Sequence, residues 1–235
     1  MIFGYKTYIM SSNEFICGLF AGITSACIFN PIDKIIFASC IQGQSLLSAN
    51  TYKDLFKGSL NNIGTRLITS GLYFSYIDSL SHNTDCKITI AAVTALLCSV
   101  TNPLQLVKYR SWYLNCSNTY AYQSIIASGG HRAMSIGIVP LIIRDFTFNY
   151  VYLSGKINDN HLHNLSVICA GVVITSPINL VRNRKYADGA SYRNIIKDFR
   201  FKQLGLGMSV GRTCLCFYSS QIIYDCFKSS LSVLF

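Results

Sequence analysis

The stretch SPINLVRNRKY, Ser176 to Tyr186, places a proline where an uncharged, apolar run becomes strongly basic. Proline inside a helix removes a backbone hydrogen bond and bends the chain. The same change occurs in TNPLQLVKYR, which begins at Thr101, and in FNPIDKIIFA, which begins at Phe29. The prolines of these stretches lie 72 and 74 residues apart and are Pro31, Pro103 and Pro177. This period predicts three tandem repeats.

The composition favours an integral membrane protein. Of the 235 residues, 51% are hydrophobic and 13% are charged, whereas soluble domains carry about 25% charged residues. The length could alternatively hold one or two soluble domains. The ten cysteines form no CxxC pair, so neither a disulfide framework nor a metal site is predicted. The first residues do not resemble a cleaved signal peptide, so we expect any targeting information to be internal.

The net charge of +10 could indicate nucleic acid, a membrane surface or an anionic solute. The Lys and Arg residues lie between the apolar runs and form no dense basic tract. Nucleic acid is therefore disfavoured as a partner. An enzyme would have to depend on His161, His163 and scattered cysteines. These residues lack a convergent partner in the sequence, so no catalytic site and no cofactor are predicted.

Each predicted repeat holds two apolar segments, which gives an all-α membrane protein with six spans around a central cavity. A span needs about 20 apolar residues. We predict repeats at residues 1–84, 85–158 and 159–235. The predicted odd helices are 14–42, 87–113 and 162–186, and the predicted even helices are 58–80, 134–155 and 204–230.

One arginine lies near the middle of each even segment: Arg66, Arg144 and Arg212. An arginine inside a membrane costs about 2.5–3.5 kcal/mol on insertion scales and normally faces a bundle interior or a wet cavity. Three at equivalent places therefore predict a shared cavity. An alternative is that each arginine caps a short helix of a soluble fold.

The predicted loops differ in charge. Thirteen Lys and Arg residues follow the odd segments, against four on the opposite side. Positively charged loops mark one side of a membrane. With six spans, both termini are expected on the less basic side.

These features resemble the mitochondrial carrier family, whose three repeats each carry Pro-x-[Asp/Glu]-x-x-[Lys/Arg] at the end of the odd helix. The spacing fits after Pro31, Pro103 and Pro177, although the charges are eroded. A second family pattern, Gly-x-x-Pro-x-x-x-Arg, fits Gly137 to Arg144. Gly205 to Arg212 keeps the spacing without the proline, and Gly58 to Arg66 is one residue too long. The resemblance spans nearly the whole chain.

The resemblance implies an inner gate, in which the polar group after each proline meets the basic group of the next repeat. Asp33 would pair with Lys108 and Gln105 would bond Arg182, whereas Asn179 would face Ile36 without an ionic link. The prolines would be the helix kinks that bring these groups together. It also implies an outer gate, which would consist of Asp78, Tyr224, Asp225 and Lys228.

The resemblance implies an alternating-access transporter, an exchanger of small anionic metabolites, and not an enzyme. Arg66, Arg144, Asp145 and Arg212 would bind the substrate, since guanidinium groups match phosphate and carboxylate. Nucleotides or deoxynucleotides are favoured, with stacking on an aromatic set. This set is Tyr73, Phe74, Tyr76, Tyr150, Tyr152 and Tyr218. The adjacent Arg144 and Asp145 favour the alternative of an amino-acid carrier, and keto acids are a further possibility.

A second alternative is a carrier-fold membrane scaffold that no longer transports. The family implies a monomer in the mitochondrial inner membrane, with its termini in the intermembrane space and cardiolipin as a lipid partner. The abundance of Ile, Asn, Tyr, Phe and Ser, together with short repeats, favours a parasite or a large DNA virus as the source, in which case the mitochondrion would be the host's.

Overall fold

The structure, a computed structural model, describes residues 12–45, 54–67, 86–156 and 161–234, and these ranges are helical without a β-strand. The helices are α1 (Ser12–Cys40), α2 (described at 59–67), α3 (Lys87–Cys98), α4 (Asn102–Tyr113), α5 (Asn118–Gly129), α6 (Ile138–Gly155), α7 (His161–Asp188), α8 (Tyr192–Lys197) and α9 (Leu206–Leu234). Short 3₁₀ turns join some of them at Ser99–Thr101, Gly130–Ser135 and Phe201–Leu204.

Three helical stretches are long and apolar enough to cross a membrane: Leu19–Cys40, Lys87–Tyr113 and Leu162–Asp188. They coincide with the predicted odd helices. A fourth crossing is possible if Asn118–Ser135 and Ile138–Gly155, bent by 40° at their junction, count as one span. Two further predicted spans are not supported in the same way. α9 has 29 residues but is not among these candidates. The predicted helix 58–80 lies partly outside the described residues. Six crossings therefore stay a prediction.

The prolines occupy two kinds of position. Pro31 and Pro177 lie inside α1 and α7, which continue past them. Pro103 lies in the first turn of α4, where its missing N–H costs least, and a 3₁₀ turn connects α4 to α3. In the second odd segment, α-helical hydrogen bonding therefore stops just before the proline and resumes in α4. The sequence pattern alone did not predict this interruption.

The helices close into a ring. α1 packs against α9, α9 against α7, α7 against α6, and α6 against α3. Asn62 of α2 closes the ring between α1 and α4. Its Nδ2 donates to the Ala26 carbonyl of α1 at 3.3 Å, and its Oδ1 accepts from Lys108 Nζ of α4 at 2.8 Å. The ring encloses a central space that α1, α2, α4, α6, α7 and α9 all line.

Several large apolar side chains are exposed and several polar ones are buried, although the helices also pack through apolar clusters. Large apolar side chains on the helices face outward, among them Leu96 at 56% exposed and Leu215 at 62%. Polar and charged side chains are buried, among them Asn149, Lys108 and Arg182. A soluble helix bundle would bury the apolar stripe instead. This arrangement fits helices surrounded by lipid, with polar groups directed to a central space.

An asparagine precedes the proline in the first two odd helices and ties each to the start of the following even helix. The Asn30 amide donates to the Leu55 carbonyl at 3.2 Å. The Asn102 amide donates to the Met134 carbonyl at 2.7 Å and to the Ile136 carbonyl at 3.3 Å. These bonds satisfy backbone carbonyls that would otherwise be unpaired at the connection between helices.

A glycine at the start of each even helix contacts the odd helix of the next predicted repeat. A Cβ added to Gly58, Gly137 or Gly205 would meet, respectively, Trp112 at 2.9 Å, Tyr186 at 2.5 Å or Cys40 at 2.3 Å. Each contacted residue lies nine positions after its own proline. The contacts therefore run cyclically from the first repeat to the second, the second to the third and the third to the first. The repeat boundaries themselves stay a prediction.

Two surface helices flank the ring on the strongly basic side. α8 lies within the stretch SYRNIIKDF, residues 191–199. In the similar stretch TYKDLF, residues 54–58 form turns and residues 51–53 lie outside the described residues. α5 was not predicted. Its signal is Ser117, whose side chain accepts the Tyr120 N–H and caps the helix.

Candidate functional site: a cationic cavity

The central space is a cavity of about 320 Å³. Side chains from every helix of the ring reach it, so no single repeat could form it. Its wall contains the predicted substrate residues Arg66, Arg144, Asp145 and Arg212. Arg66 is included although the Gly58-to-Arg66 spacing is one residue longer than in the other repeats. Their role as a binding site stays a prediction.

The predicted inner-gate residues Asp33, Gln105, Lys108, Asn179 and Arg182 line the same cavity. The resemblance assigns them to an inner gate and not to the substrate site. Here the two sets form one continuous wall, because an ion pair joins them.

Asp33 is that link. Its Oδ2 accepts a hydrogen bond from Arg212 Nη2 at 2.9 Å, and Arg212 Nε lies 2.6 Å from Oδ1 without the alignment of a hydrogen bond. Lys108 Nζ lies 3.7 Å from the same Oδ2, which is the contact that the family pattern implies. One carboxylate thus serves two cations, one on an odd helix and one on an even helix.

Lys108 has further partners that the sequence did not reveal. Its Nζ donates to Asn62 Oδ1 at 2.8 Å and lies 4.4 Å from the Trp112 ring centre. Its side chain is 4% exposed. An amide and an aromatic face together supply polar contact for a buried ammonium group that shares its carboxylate.

Arg144 and Asp145 form an ion pair between adjacent residues of α6. Arg144 Nε donates to Asp145 Oδ1 at 2.7 Å, and Nη2 contacts the same oxygen. Adjacent side chains do not normally face each other on a helix. The arginine therefore folds back along its own helix at the cavity wall.

The second predicted gate contact is not formed. Gln105 Nε2 donates to Thr101 Oγ1 at 3.1 Å, and Arg182 donates to Asn183 Oδ1 from Nη2 at 3.0 Å. The Gln105 side chain bonds within its own helix because it carries no charge to draw it toward Arg182. Asn179 Oδ1 is buried and has no hydrogen-bond partner among the described residues, so the Asn179 site has no ionic link.

The structure does not describe the side chains of the predicted outer gate. Asp78 lies outside the described residues, and Tyr224, Asp225 and Lys228 lie on α9, where only their backbone is described. The predicted outer gate stays a prediction.

The predicted aromatic set is corrected for three of its six residues, since Tyr150, Tyr152 and Tyr218 do not line the cavity. Tyr150 and Tyr218 are exposed on the outer surface, and Tyr152 is buried in an apolar cluster with Ile168 and Val172. None of these three lines the cavity, and Tyr73, Phe74 and Tyr76 lie outside the described residues. The aromatic side chains of the wall are Phe37, Tyr109 and Phe148. Finding this set from sequence would have required knowing which faces of α1, α4 and α6 line the cavity.

The cavity wall carries excess positive charge. Five cationic side chains and two carboxylates line it, a net charge of +3 among the described residues. Low-dielectric surroundings strengthen each of these charges relative to water. The wall is therefore suited to a small solute with several negative charges, and hydroxyl and amide side chains beside the cations supply hydrogen bonds.

His163 takes no part in this site. Its Nε2 lies 2.9 Å from the Gly155 carbonyl, at the connection between α6 and α7.

The chain is similar to one curated human protein, the mitochondrial nicotinamide adenine dinucleotide transporter. The two are 23% identical over 231 aligned positions, which cover 83% of this chain and 77% of the relative. No protein-family model matches the chain. The similarity is thus to a mitochondrial transporter of a small solute. The solute in the relative's name is a property of that protein.

Proposed function

We propose that this protein is a divergent mitochondrial-type solute carrier that moves small anionic metabolites across a membrane by alternating access. The observation that carries the proposal is the net +3 wall of a cavity enclosed by a ring of apolar helices. Charges placed inside a membrane bundle are costly and are found where an ion or solute passes. The similarity to a mitochondrial transporter supports the same reading.

The favoured substrates are nucleotides, including dinucleotides. A phosphate group accepts two parallel hydrogen bonds from a guanidinium, and the wall offers four guanidinium groups. Tyr109 at the wall gives an aromatic surface for a base. The relative's nicotinamide adenine dinucleotide makes that compound one candidate for this chain. Uptake into liposomes decides among them.

The shared Asp33 supports a mechanism for exchange. A substrate phosphate that binds Arg212 competes with Asp33 for the guanidinium. Asp33 would then turn toward Lys108 alone, which alters the contact between α1, α4 and α9. Binding energy would thus offset the loss of one ion pair while helices rearrange, as required of a ligand that shifts a conformational equilibrium.

A second candidate is an amino-acid carrier, which the Arg144–Asp145 ion pair favours. A guanidinium and a carboxylate side by side can bind the carboxylate and the ammonium group of one amino acid. A nucleotide does not need the carboxylate. The substrate panel therefore contains both classes.

The test is exchange in proteoliposomes that contain the purified chain. Vesicles loaded with unlabelled ATP, dATP, nicotinamide adenine dinucleotide or an amino-acid mixture are incubated with each labelled solute in turn. We expect exchange of a nucleotide, and a loss of at least about tenfold with Arg144→Ala or Arg212→Ala, since each removes a charge-assisted hydrogen bond.

Arg193→Ala is the matched control, because Arg193 is an exposed arginine of α8 outside the cavity. Exchange of amino acids alone would support the second candidate. No exchange of any solute by a folded protein would overturn the transporter proposal and favour a membrane scaffold.

The proposed location is the mitochondrial inner membrane, with the termini on the less basic side. The proposed outer gate, Asp78 with Tyr224, Asp225 and Lys228, belongs to that side. Protein fused to a fluorescent reporter should colocalise with an inner-membrane marker, and a cytoplasmic or plasma-membrane signal would contradict this location.

A further inference from the structure

Arg182 of α7 differs from the other described cations of the cavity whose partners are assigned. Lys108 and Arg212 contact Asp33, and Arg144 contacts Asp145. Arg182 is only 3% exposed and lines the cavity, yet no carboxylate of the described residues lies within 4.0 Å of it. A buried charge without a counter-ion is strongly unfavourable.

The neutral partners of Arg182 offset only part of that cost. Its guanidinium donates to Asn183 Oδ1 from Nε at 3.3 Å and from Nη2 at 3.0 Å. The guanidinium carbon lies 5.7 Å from the Tyr109 ring centre and 5.6 Å from that of Tyr186. Cation–π contacts of this kind stabilise a buried guanidinium by less than its desolvation costs.

The rings fix the guanidinium in place. Tyr109 and Tyr186 stack on each other with centres 5.6 Å apart, and the Tyr186 hydroxyl donates to Asn102 Oδ1 at 2.6 Å. Tyr186 is fully buried. Arg182 is therefore held on a rigid surface, and an ion would not need to order it first.

A second unsatisfied group lies on the same face of α7. Asn179 precedes Arg182 by three residues, a spacing that places two side chains next to each other on a helix. Its Oδ1 is buried, lines the cavity and lacks a hydrogen-bond partner among the described residues. A buried acceptor without a donor is destabilising. Among the described residues, therefore, Arg182 lacks an anion and Asn179 Oδ1 lacks a hydrogen-bond donor.

We propose that Arg182 and Asn179 form a subsite for one end of the transported solute. Arg182 binds an oxyanion, either phosphate or carboxylate, and Asn179 Oδ1 accepts a hydrogen bond from a hydroxyl or amino group beside it. The inference rests on the proposed transport function. The family resemblance places these two residues in the inner gate, whereas we assign them to substrate binding. A phosphorylated sugar carries both groups, and so does an amino acid.

Arg182 makes no ion pair with Asp33. Asp33 neutralises part of the charge of Lys108 and Arg212 on α4 and α9 and leaves the charge of Arg182 without a carboxylate of the described residues within 4.0 Å. A solute with anionic groups at both ends could therefore contact Arg182 with one end and Arg212 with the other.

The test measures the thermal stabilisation of purified protein in detergent as ATP, nicotinamide adenine dinucleotide, inorganic pyrophosphate or an amino acid is titrated in. The variants are Arg182→Gln and Asn179→Asp, with Arg184→Gln as the matched control on the same helix outside the cavity. We expect Arg182→Gln to weaken binding of the stabilising anion about 10- to 100-fold. Its unliganded Tm should be unchanged or higher, because an uncompensated charge is removed.

Asn179→Asp supplies the missing carboxylate within reach of Arg182. It should raise the unliganded Tm and weaken anion binding at least about tenfold, since the new carboxylate competes with the ligand. Arg184→Gln should bind as the wild type does.

Wild-type affinity in both Arg182→Gln and Asn179→Asp would overturn the subsite and leave the transporter proposal intact. A lower Tm with unchanged affinity in Arg182→Gln would mean that the arginine is a structural cation. An absence of any anion effect on the wild type would contradict the proposed function and the subsite with it. Phosphate compounds and amino acids as separate arms distinguish the two sources of the oxyanion.

Discussion

Asp33 on α1 bonds Arg212 on α9 across a separation of 179 residues, with Arg212 Nη2 2.9 Å from Asp33 Oδ2. The contact connects the first odd helix to the last even helix. Because Lys108 approaches the same oxygen at 3.7 Å, three helices meet at one carboxylate. Loss of that carboxylate should therefore affect both stability and gating.

Asp33→Asn tests this junction. It leaves Lys108 and Arg212 buried without a shared anion, and breaking a buried pair costs about 3–5 kcal/mol. We expect a Tm at least several degrees lower in detergent, measured by intrinsic fluorescence, with partial recovery when a polyanion such as ATP is added. Asp198→Asn, at an exposed position, is the control. An unchanged Tm would show that the cations do not depend on Asp33.

Gly137 is a second test, because it starts α6 at φ +78° and a Cβ there would lie 2.5 Å from Tyr186. Gly189, which follows α7, also has a positive φ, +72°, but a Cβ there would meet nothing within 4 Å. A positive φ costs a non-glycine residue about 1–2 kcal/mol, so Gly189→Ala should lower the Tm by only a few degrees. Gly137→Ala adds a clash with a buried ring, and we expect at least twice that fall.

Both variants bear the cost of a positive φ, so the difference between their Tm values reports the contact with Tyr186. Equal Tm values for the two variants would mean that Tyr186 or the backbone at Gly137 shifts to accept the added Cβ at little cost. The same comparison in exchange assays shows whether the junction also affects transport.

Cys169 of α7 and Cys214 of α9 give a test of helix packing. Their sulfur atoms lie 3.3 Å apart, and a disulfide requires about 2.05 Å. Oxidation by copper phenanthroline and oxygen should join them, with two electrons and two protons passing to the oxidant. Mass spectrometry of peptides should find the bond, and exchange should be lost until a reductant is added, because α7 and α9 can no longer separate.

Cys214→Ser is the control for this cross-link and should keep its exchange activity under oxidation. Failure to form the bond in the wild type, under conditions that oxidise other exposed pairs, would contradict the packing of α7 on α9. A bond that forms without any loss of exchange would show that these helices move together.

Cys86 and Cys116 test the orientation. Cys86 is exposed just before α3, on the less basic side, and its hydrogen bond with the Thr89 side chain holds the pKa of the Cys86 thiol below its usual value. A lower pKa gives more thiolate near neutral pH, so reaction with a maleimide is faster. Cys116 follows α4 on the basic side.

In a background without other cysteines, a membrane-impermeant maleimide should label one of these two positions in sealed vesicles, and the other only after the membrane is opened. The candidate span Lys87–Tyr113 lies between the two cysteines, so they should face opposite sides of the membrane. Labelling of both from the same side would contradict that crossing and the orientation predicted from the loop charges. Mitoplasts provide the same test in the proposed membrane.

Local pattern predicted much of this molecule. The proline period gave the three odd helices within a few residues, and the Gly-to-Arg spacing placed Arg144 and Arg212 at the same depth of their helices. Such features depend on residues one or two turns apart, and helix periodicity fixes their geometry. The surface helix α5 was missed because its amphipathic signal is weak and lies outside any charge or proline pattern.

The sequence by itself determined that apolar helices alternate with basic loops, and that three arginines lie within the apolar segments, because these are properties of single segments. The tertiary structure alone decided which charges meet. Asp33 contacts Arg212 as well as Lys108, and the Gln105 side chain bonds Thr101. Arg182 lies beside two stacked tyrosines, with no carboxylate of the described residues within 4.0 Å. Those outcomes follow from the packing of helices distant in the chain, since in a low-dielectric interior a change of a few ångströms decides whether a charge is paired.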